Sequence, residues 1–181
     1  MRMRALAWMA TATILTAANA KAQDRVDAKI AKIDPCKLVT NSEIQTAIEG
    51  KRDPSELARL KGKGIVWSIS TTSRQEGEAR ACQIHWQGDI GGAMHEKGDM
   101  LVRVSKAEYF KANVSDMNRV RQRNGRPDLS RIPGVGDEAY FFGYSEKGNP
   151  EARIGDIAVG VESLAGKSSL DLLRAALARV H

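Results

Sequence analysis

The sequence predicts an α+β protein in which an antiparallel sheet of about six strands carries helices on one face, in the order α-α-βββ-α-βββ-α. Apolar residues alternate with polar ones in several short segments, as in Cys82, Ile84 and Trp86, and this is the period of a half-buried strand. Segments with helical spacing follow at 105–124 and 168–180. Short turns join the strands, which favours antiparallel pairing of neighbours in the chain.

The first 22 residues have the features of a secretory signal peptide. Arg2 and Arg4 precede an apolar run over 5–18, and two overlapping A-x-A cleavage sites follow at 18–22. The apolar run is too short to form a stable membrane span, so we expect no transmembrane anchor. The sequence therefore predicts a signal peptide over 1–22 and a single domain over 23–181 that is periplasmic or secreted.

The net charge argues against a nucleic-acid partner. The whole chain has a formal charge of +6, and removal of Arg2, Arg4 and Lys21 with the leader lowers it to +3. A nucleic-acid-binding domain normally carries a much larger basic excess on one face.

Helical signals come before the first strand. Residues 23–33 have weak amphipathic spacing. Thr40 and Glu43 form a capping box that predicts a helix start, and Pro54 after Asp53 predicts another. Glycines follow both helices and are expected to end them.

The first group of strands is predicted at 64–73, around Cys82, and at 100–104. The glycines between Gly88 and Gly98 predict a loop between the second and third strands. A capping box at 105–108 then predicts a helix that ends at Gly125.

The second group of strands begins after a glycine-dependent bend at 132–137. A strand is predicted at 139–144, and a hairpin is predicted around the Gly155-Asp156 turn. Ser168 or Ser169 is expected to cap a last helix, whose apolar stripe consists of Leu170, Leu173, Leu177 and Val180. Residues 64–124 and 137–181 could thus be two β-β-β-α units.

The only two cysteines are Cys36 and Cys82. In an exported chain an even pair is most simply a disulfide, and Cys82 lies on the apolar face of its strand. We therefore predict a Cys36–Cys82 bond between the N-terminal helical segment and the sheet.

Three features resemble a known family of small exported bacterial proteins and lipoproteins that contain a domain of unknown function. The stretch from Asp34 to Ile44 resembles its opening D-P-C-x-L-[LV]-T-x-x-E-[IV], and 133–139 resembles its bend P-G-[LV]-G-D-x-A. Cys82 is also followed closely by Trp86. The resemblance implies a single exported domain with a paired disulfide, and it implies no activity. The chain lacks a cysteine for lipidation directly after its apolar run.

Two sets of residues are candidates for binding. The first is a basic run at the end of the central helix, which would suit an anionic surface: Arg119, Arg121, Arg123, Arg126 and Arg131. We expect Arg121→Ala and Arg123→Ala to change stability by less than about 0.5 kcal/mol, as surface changes usually do. The second is an aromatic face of the strand at 139–144, made by Tyr140, Phe142 and Tyr144.

The motifs favour binding over catalysis. His85 and His95 could ligate a metal, but their spacing matches no standard site. The chain has no G-x-S-x-G motif. We therefore expect a non-catalytic exported binding or interaction protein without a cofactor, such as an inhibitor or immunity-type protein. Its partner would be an envelope protein or an anionic envelope component, and the protein would bind this partner through its sheet or its 88–98 loop. The alternative is a small periplasmic metal-binding protein or metal-dependent enzyme that uses His85 and His95.

Overall fold

The computed structural model describes residues 22–143, 148–162 and 167–180. Tyr144 and all of the predicted signal peptide except Ala22 lie outside the described residues. Its helices are α1 (22–32), α2 (Asn41–Gly50), α3 (Pro54–Gly62), α4 (Ala107–Arg123) and α5 (Lys167–Leu177), with a short 3-10 helix at Pro35–Lys37. Its strands are β1 (Val66–Glu76), β2 (Ala79–Ile90), β3 (Ala93–Lys106), β4 (Glu138–Phe142), β5 (Asn149–Ile154) and β6 (Ile157–Glu162). Among those residues, no helix combines the length and the apolar composition that crossing a membrane requires.

The six strands form one antiparallel sheet in the order β1-β2-β3-β6-β5-β4. This confirms the predicted α+β class and the predicted order of helices and strands. The turn at Gly155-Asp156 joins β5 to β6 as expected, and Gly155 has a φ of 57°. The two groups of strands meet where β3 pairs with β6, at the centre of the sheet.

The main hydrophobic core lies on one face of this sheet. Cys82, Ile84 and Trp86 of β2 point into it, together with alternate residues of β3 and β6. Helices α2 and α5 cover the face, and the predicted Cys36–Cys82 disulfide joins the 3-10 helix to β2. This face is the one that the alternation of apolar residues predicts.

The helix starts agree only in part with the capping signals. The Thr40 hydroxyl accepts a hydrogen bond from the Glu43 backbone N–H, and the Glu43 carboxylate accepts one from the Thr40 backbone N–H, so the predicted capping box is present. The box predicted at 105–108 is wrong, because Ser105 lies inside β3, which runs to Lys106, and no side chain caps α4. Ser168 and Ser169 lie inside the first turn of α5 and are buried there, so neither precedes the helix.

The prediction of a glycine-rich loop at 88–98 is also wrong. Only Gly91 and Gly92 turn, with φ of 60° and 82°, while Gly88 and Gly98 belong to paired strands. A Cβ on Gly88 would lie 2.7 Å from Trp67 Cζ3, and a Cβ on Gly98 would lie 2.5 Å from Trp86 Cζ2. These two positions need glycine because the indole ring of a neighbouring strand lies against their backbone. They do not need it to make a turn.

The helices do not all lie on one face, because α4 lies against the opposite face. Phe110 of α4 is fully buried and contacts the rings of Tyr140 and Phe142, whereas their neighbours Ala139 and Phe141 face the main core. Successive residues of a strand point to opposite faces, so α4 and α5 cover different sides. The two β-β-β-α units are therefore not related by a two-fold axis, although the strand order alone would allow one.

A buried lysine fixes the start of α4. Lys106 Nζ lies 2.7 Å from both Asp27 Oδ1 and Glu78 Oε2. These hydrogen bonds raise the pKa of Lys106, so the ammonium stays charged at neutral pH. They also tie α1 and the β1–β2 turn to the end of β3.

Candidate functional site

A cross-strand row on the α4 side of the sheet brings Arg103, Gly160 and Glu151 together. Arg103 of β3 pairs with Gly160 of β6, and Gly160 pairs with Glu151 of β5. Paired residues of antiparallel strands project to the same face, so Arg103 and Glu151 flank the glycine. A Cβ on Gly160 would lie 3.4 Å from Glu151 Cγ, which is ordinary contact. Because Gly160 has no side chain, open space remains above the sheet at this position, and the sheet here forms the floor of a cavity.

Helix α4 forms the roof of this cavity, which has a volume of about 500 Å³. Phe110 anchors the first half of the helix, and Met117 in the second half is only half-buried above the sheet. The apolar lining consists of Met117, Val120, Phe142, Pro150 and Val161. The polar lining consists of Arg103, Asn113, Asp116, Asn149, Glu151 and Glu162. A cavity of this size, with apolar walls and a few polar groups, is typical of a small-ligand site.

Glu151 is the unusual group in this lining. Its carboxylate is partly buried and has no hydrogen-bond or ion-pair partner among the residues that the structure describes. Burial raises the pKa of the Glu151 carboxyl, and the nearby positive charge of Arg103 offsets only part of this effect. The guanidinium of Arg103 is itself paired with Glu162. Glu151 is therefore available to a ligand.

A second cavity of about 280 Å³ shares Arg103, Asn113 and Glu151 with the first. We refer to the two together as the α4 groove. Five carboxylates line the groove, namely Glu76, Glu78, Asp116, Glu151 and Glu162, and Arg103 is the one cation in the lining that the structure describes. Four of these carboxylates are in ion pairs, namely Glu76 with Arg74, Glu78 with Lys106, Asp116 with Arg119 and Glu162 with Arg103. Glu151 is therefore the one carboxylate of the described lining without a cation in contact.

The structure separates the members of the predicted basic run. Arg119, Arg123 and Arg126 are exposed, and Arg119 pairs with Asp116 at 3.4 Å. Arg121 is buried, with 8% of its surface exposed. Its Nε donates to the Pro127 carbonyl at 2.6 Å, and its Nη1 donates to the Gly143 carbonyl at 2.6 Å.

We expect Arg121→Ala to lower the free energy of unfolding by about 1.5–3 kcal/mol, because hydrogen bonds to charged groups contribute this much. This replaces the sequence-based prediction for Arg121, whose premise of an exposed side chain is wrong because the guanidinium is buried. Arg123→Ala is the matched control on an exposed position and should stay within about 0.5 kcal/mol. Urea unfolding of both variants measures the difference, and equal stabilities would contradict the structural role of Arg121.

The predicted aromatic face is mostly covered. Tyr140 and Phe142 lie under α4 against Phe110, at ring-centroid distances of 6.1 Å, and the Tyr140 hydroxyl donates to Glu138. Phe142 still takes part in a possible site, because it lines the α4 groove. Tyr140 and Phe142 are therefore partly covered by α4, a role for them in binding stays a prediction, and Tyr144 lies outside the described residues.

The structure does not bring His85 and His95 together. His85 pairs across the strands with Asp99, and the imidazole contacts that carboxylate on the exposed face. His95 lies four residues from Asp99 along β3, about 13 Å at the usual rise of a strand. It has no partner on β2, because Glu96 pairs with Gly88 and Met94 pairs with Asp89. The described residues contain no cluster of three or more potential metal ligands.

Comparison with family models, with curated proteins and with solved structures found no match. The resemblance to the exported family with the D-P-C opening therefore stays a prediction.

Proposed function

We propose that the protein is an exported, non-catalytic binding protein that holds a cationic group in the α4 groove. The observation that carries the proposal is Glu151, a partly buried carboxylate without a described partner that faces a cavity. A buried unpaired charge costs stability, and binding of a cation would remove that cost. Such a cost is common at functional sites, where a ligand supplies the missing partner.

The lining also suggests the shape of the ligand. An amine or guanidinium group would contact Glu151 between Arg103 and Asn113, and an apolar part would contact Met117, Val120 and Phe142. Glu151 is the one carboxylate in the described lining that no ion pair neutralises, and its charge favours a positive over a negative ligand. In an inhibitor-like or immunity-like protein, the cationic group would be a lysine or arginine side chain of the partner.

We expect the exported protein to begin at Lys21 or Gln23, because the A-x-A sites end at Ala20 and Ala22. The disulfide supports export, since such bonds persist in oxidising compartments. Intact mass spectrometry of protein from a periplasmic fraction measures the start, and an exported chain that retains Met1 would contradict the prediction.

The ligand class can be tested with two probes that differ mainly in charge. Phenethylammonium should shift the amide NMR signals of residues lining the α4 groove, with an affinity in about the millimolar range for so small a molecule. Phenethyl alcohol should bind at least tenfold more weakly, because it lacks the charge. The affinity for the ammonium probe should rise with pH through the raised pKa of Glu151, because the ionised carboxylate binds the cation.

Glu151→Gln and two substitutions of Gly160 are the controls. Glu151→Gln should remove the preference for the ammonium probe and its pH dependence. Folding raises the pKa of Glu151, so the folded state favours the neutral carboxyl. This contribution to the free energy of unfolding is present below the ordinary pKa of 4.5, and it is lost as the pH rises through the raised pKa. The variant should therefore be more stable than the parent at pH 7.

Gly160→Val should fill the floor and weaken binding more than tenfold, and Gly160→Ala, whose methyl group fits at 3.4 Å, should weaken it less than threefold. Equal binding of the two probes, or unchanged selectivity in Glu151→Gln, would refute the proposed function.

A further inference from the structure

The α4 groove is elongated, and it runs along α4. The helix lines the groove with one stripe of side chains, which includes Tyr109, Asn113, Met117 and Val120. Their spacing of three or four positions is that of a single helix face. At a rise of about 1.5 Å per residue, the stripe is about 17 Å long. An extended peptide of about five residues has this length, so the groove is much longer than one ammonium group.

The strands below α4 run in the same direction as this stripe. Tyr109 shares the second cavity with Ser105 of β3, whereas Val120 shares the first cavity with Phe142 of β4. Glu151 lines both cavities, so it lies where they join. The helix and the strands therefore enclose one continuous groove that has Glu151 near its middle.

The floor of the groove has the period of an extended chain. Asn149 and Glu151 are two residues apart on β5, so they project to the same face about 7 Å apart. Phe142 pairs with Asn149 across the strands, so its ring lies one such step from Glu151. A peptide extended along these strands has the same rise, and its alternate residues project to one side. A residue over Glu151 thus places the residue two positions away over Phe142.

The chemistry of these two positions differs. Glu151 has no cation in contact within the described lining, so its position suits a lysine or arginine side chain. The lining around Phe142 is apolar and includes Met117, Val120 and Pro150. The second position therefore suits a large apolar side chain.

Asn113 provides a contact for a peptide backbone. It lines both cavities, and within the described part of the chain its side-chain amide makes no hydrogen bond. A side-chain amide both donates and accepts hydrogen bonds, and a peptide main chain offers both kinds of group. A small amine has no acceptor group, so this part of the lining favours a peptide.

We propose that the α4 groove binds an extended segment of a partner protein, in which one residue separates a lysine or arginine from a large apolar residue. The basic side chain contacts Glu151, and the apolar side chain contacts Phe142 and Met117. The proposal rests on the proposed function, because Glu151 holds the cation in both. It adds the length of the ligand and the spacing of its two anchors.

Three capped peptides of identical composition test the spacing, by calorimetric titration of the purified, disulfide-bonded protein. Ser-Ala-Lys-Ala-Leu-Ala-Ser and its reverse, Ser-Ala-Leu-Ala-Lys-Ala-Ser, carry both anchors on one side of an extended chain. Ser-Ala-Lys-Leu-Ala-Ala-Ser carries them on opposite sides. We expect whichever of the first two has the chain direction that fits the groove to bind at least tenfold more tightly than the third peptide and than phenethylammonium. Replacement of its lysine by glutamine should weaken binding at least tenfold.

Ala79→Leu tests whether the ligand also occupies the second cavity. Ala79 lines that cavity and not the first, so a leucine side chain there shortens the groove. The variant should weaken binding of the better peptide at least fivefold more than binding of phenethylammonium, whose contacts lie in the first cavity. Thermal unfolding of the variant checks that it is folded.

Two results would overturn the peptide proposal, namely equal affinities for the three peptides and equal weakening of both ligands by Ala79→Leu. Neither result would affect the proposed function if phenethylammonium still binds in a way that depends on Glu151. Failure of phenethylammonium and of all three peptides to bind would refute both.

Discussion

Replacement of Leu173 by alanine is expected to lower the free energy of unfolding by about 2–5 kcal/mol, the usual cost of removing a leucine side chain from a core. Leu173 lies on α5 and is completely buried in the cluster that includes Ile84 and Val159. α5 packs on β5, β6 and α2, so the surrounding backbone is held on several sides and cannot collapse into the space. Urea unfolding followed by circular dichroism measures the change.

Leu170→Ala is the matched control for this prediction, because it makes the same chemical change on the same helix. Leu170 is only partly buried at the margin of the core. Its replacement should therefore cost clearly less than the replacement of Leu173. Equal losses for the two variants would mean that α5 does not seal the core through Leu173.

The parts of the fold that the sequence predicts are those that local patterns encode. The capping box at Thr40, the alternation around Cys82 and the turn at Gly155 each depend on residues that are close in the chain. The stripe on α5 is also local, because helical spacing alone shows which residues share a face. These features were predictable without knowledge of which strands pair.

The features that were missed depend on contacts between distant segments. Gly88 and Gly98 look like loop glycines until the register places the indole rings of Trp67 and Trp86 over them. Arg121 looks exposed until the Gly143 carbonyl is known to reach it. No local pattern reports such neighbours.

The α4 groove was missed for the same reason, since its floor comes from three strands. Arg103, Gly160 and Glu151 are 57 positions apart in the chain at most and meet only through the pairing of β3, β6 and β5. One signal was present in the sequence. Gly160 interrupts the apolar run 157–161, and a glycine in a strand interior often marks a place where a ligand or another group approaches closely.

Loss of the Cys36–Cys82 bond is expected to cost about 2–5 kcal/mol, as it usually does in small secreted domains. The bond closes a loop with a sequence separation of 46 residues, for which the chain-entropy model gives about 4 kcal/mol. Cys82 is completely buried, so Cys82→Ala also leaves a small space in the core. The double variant Cys36→Ala/Cys82→Ala avoids a free thiol, and comparison with the reduced parent separates loss of the bond from loss of the sulfur atoms.

The effect should be largest at the N-terminal end of the described chain. Apart from the disulfide, the segment over 22–39 is joined to the sheet by hydrogen bonds from Arg80 Nη1 to the Ala31 and Ile33 carbonyls and by the ion pair of Asp27 with Lys106. Packing of buried Leu38 and Val39 adds to these contacts. Hydrogen exchange in the reduced protein should therefore show early loss of protection over 22–39, while β3 and β6 at the centre of the sheet stay protected. Uniform loss of protection across the sheet would instead mean that the disulfide holds the whole fold together. Two alkylatable thiols in native protein from a periplasmic fraction would mean that the bond does not form at all.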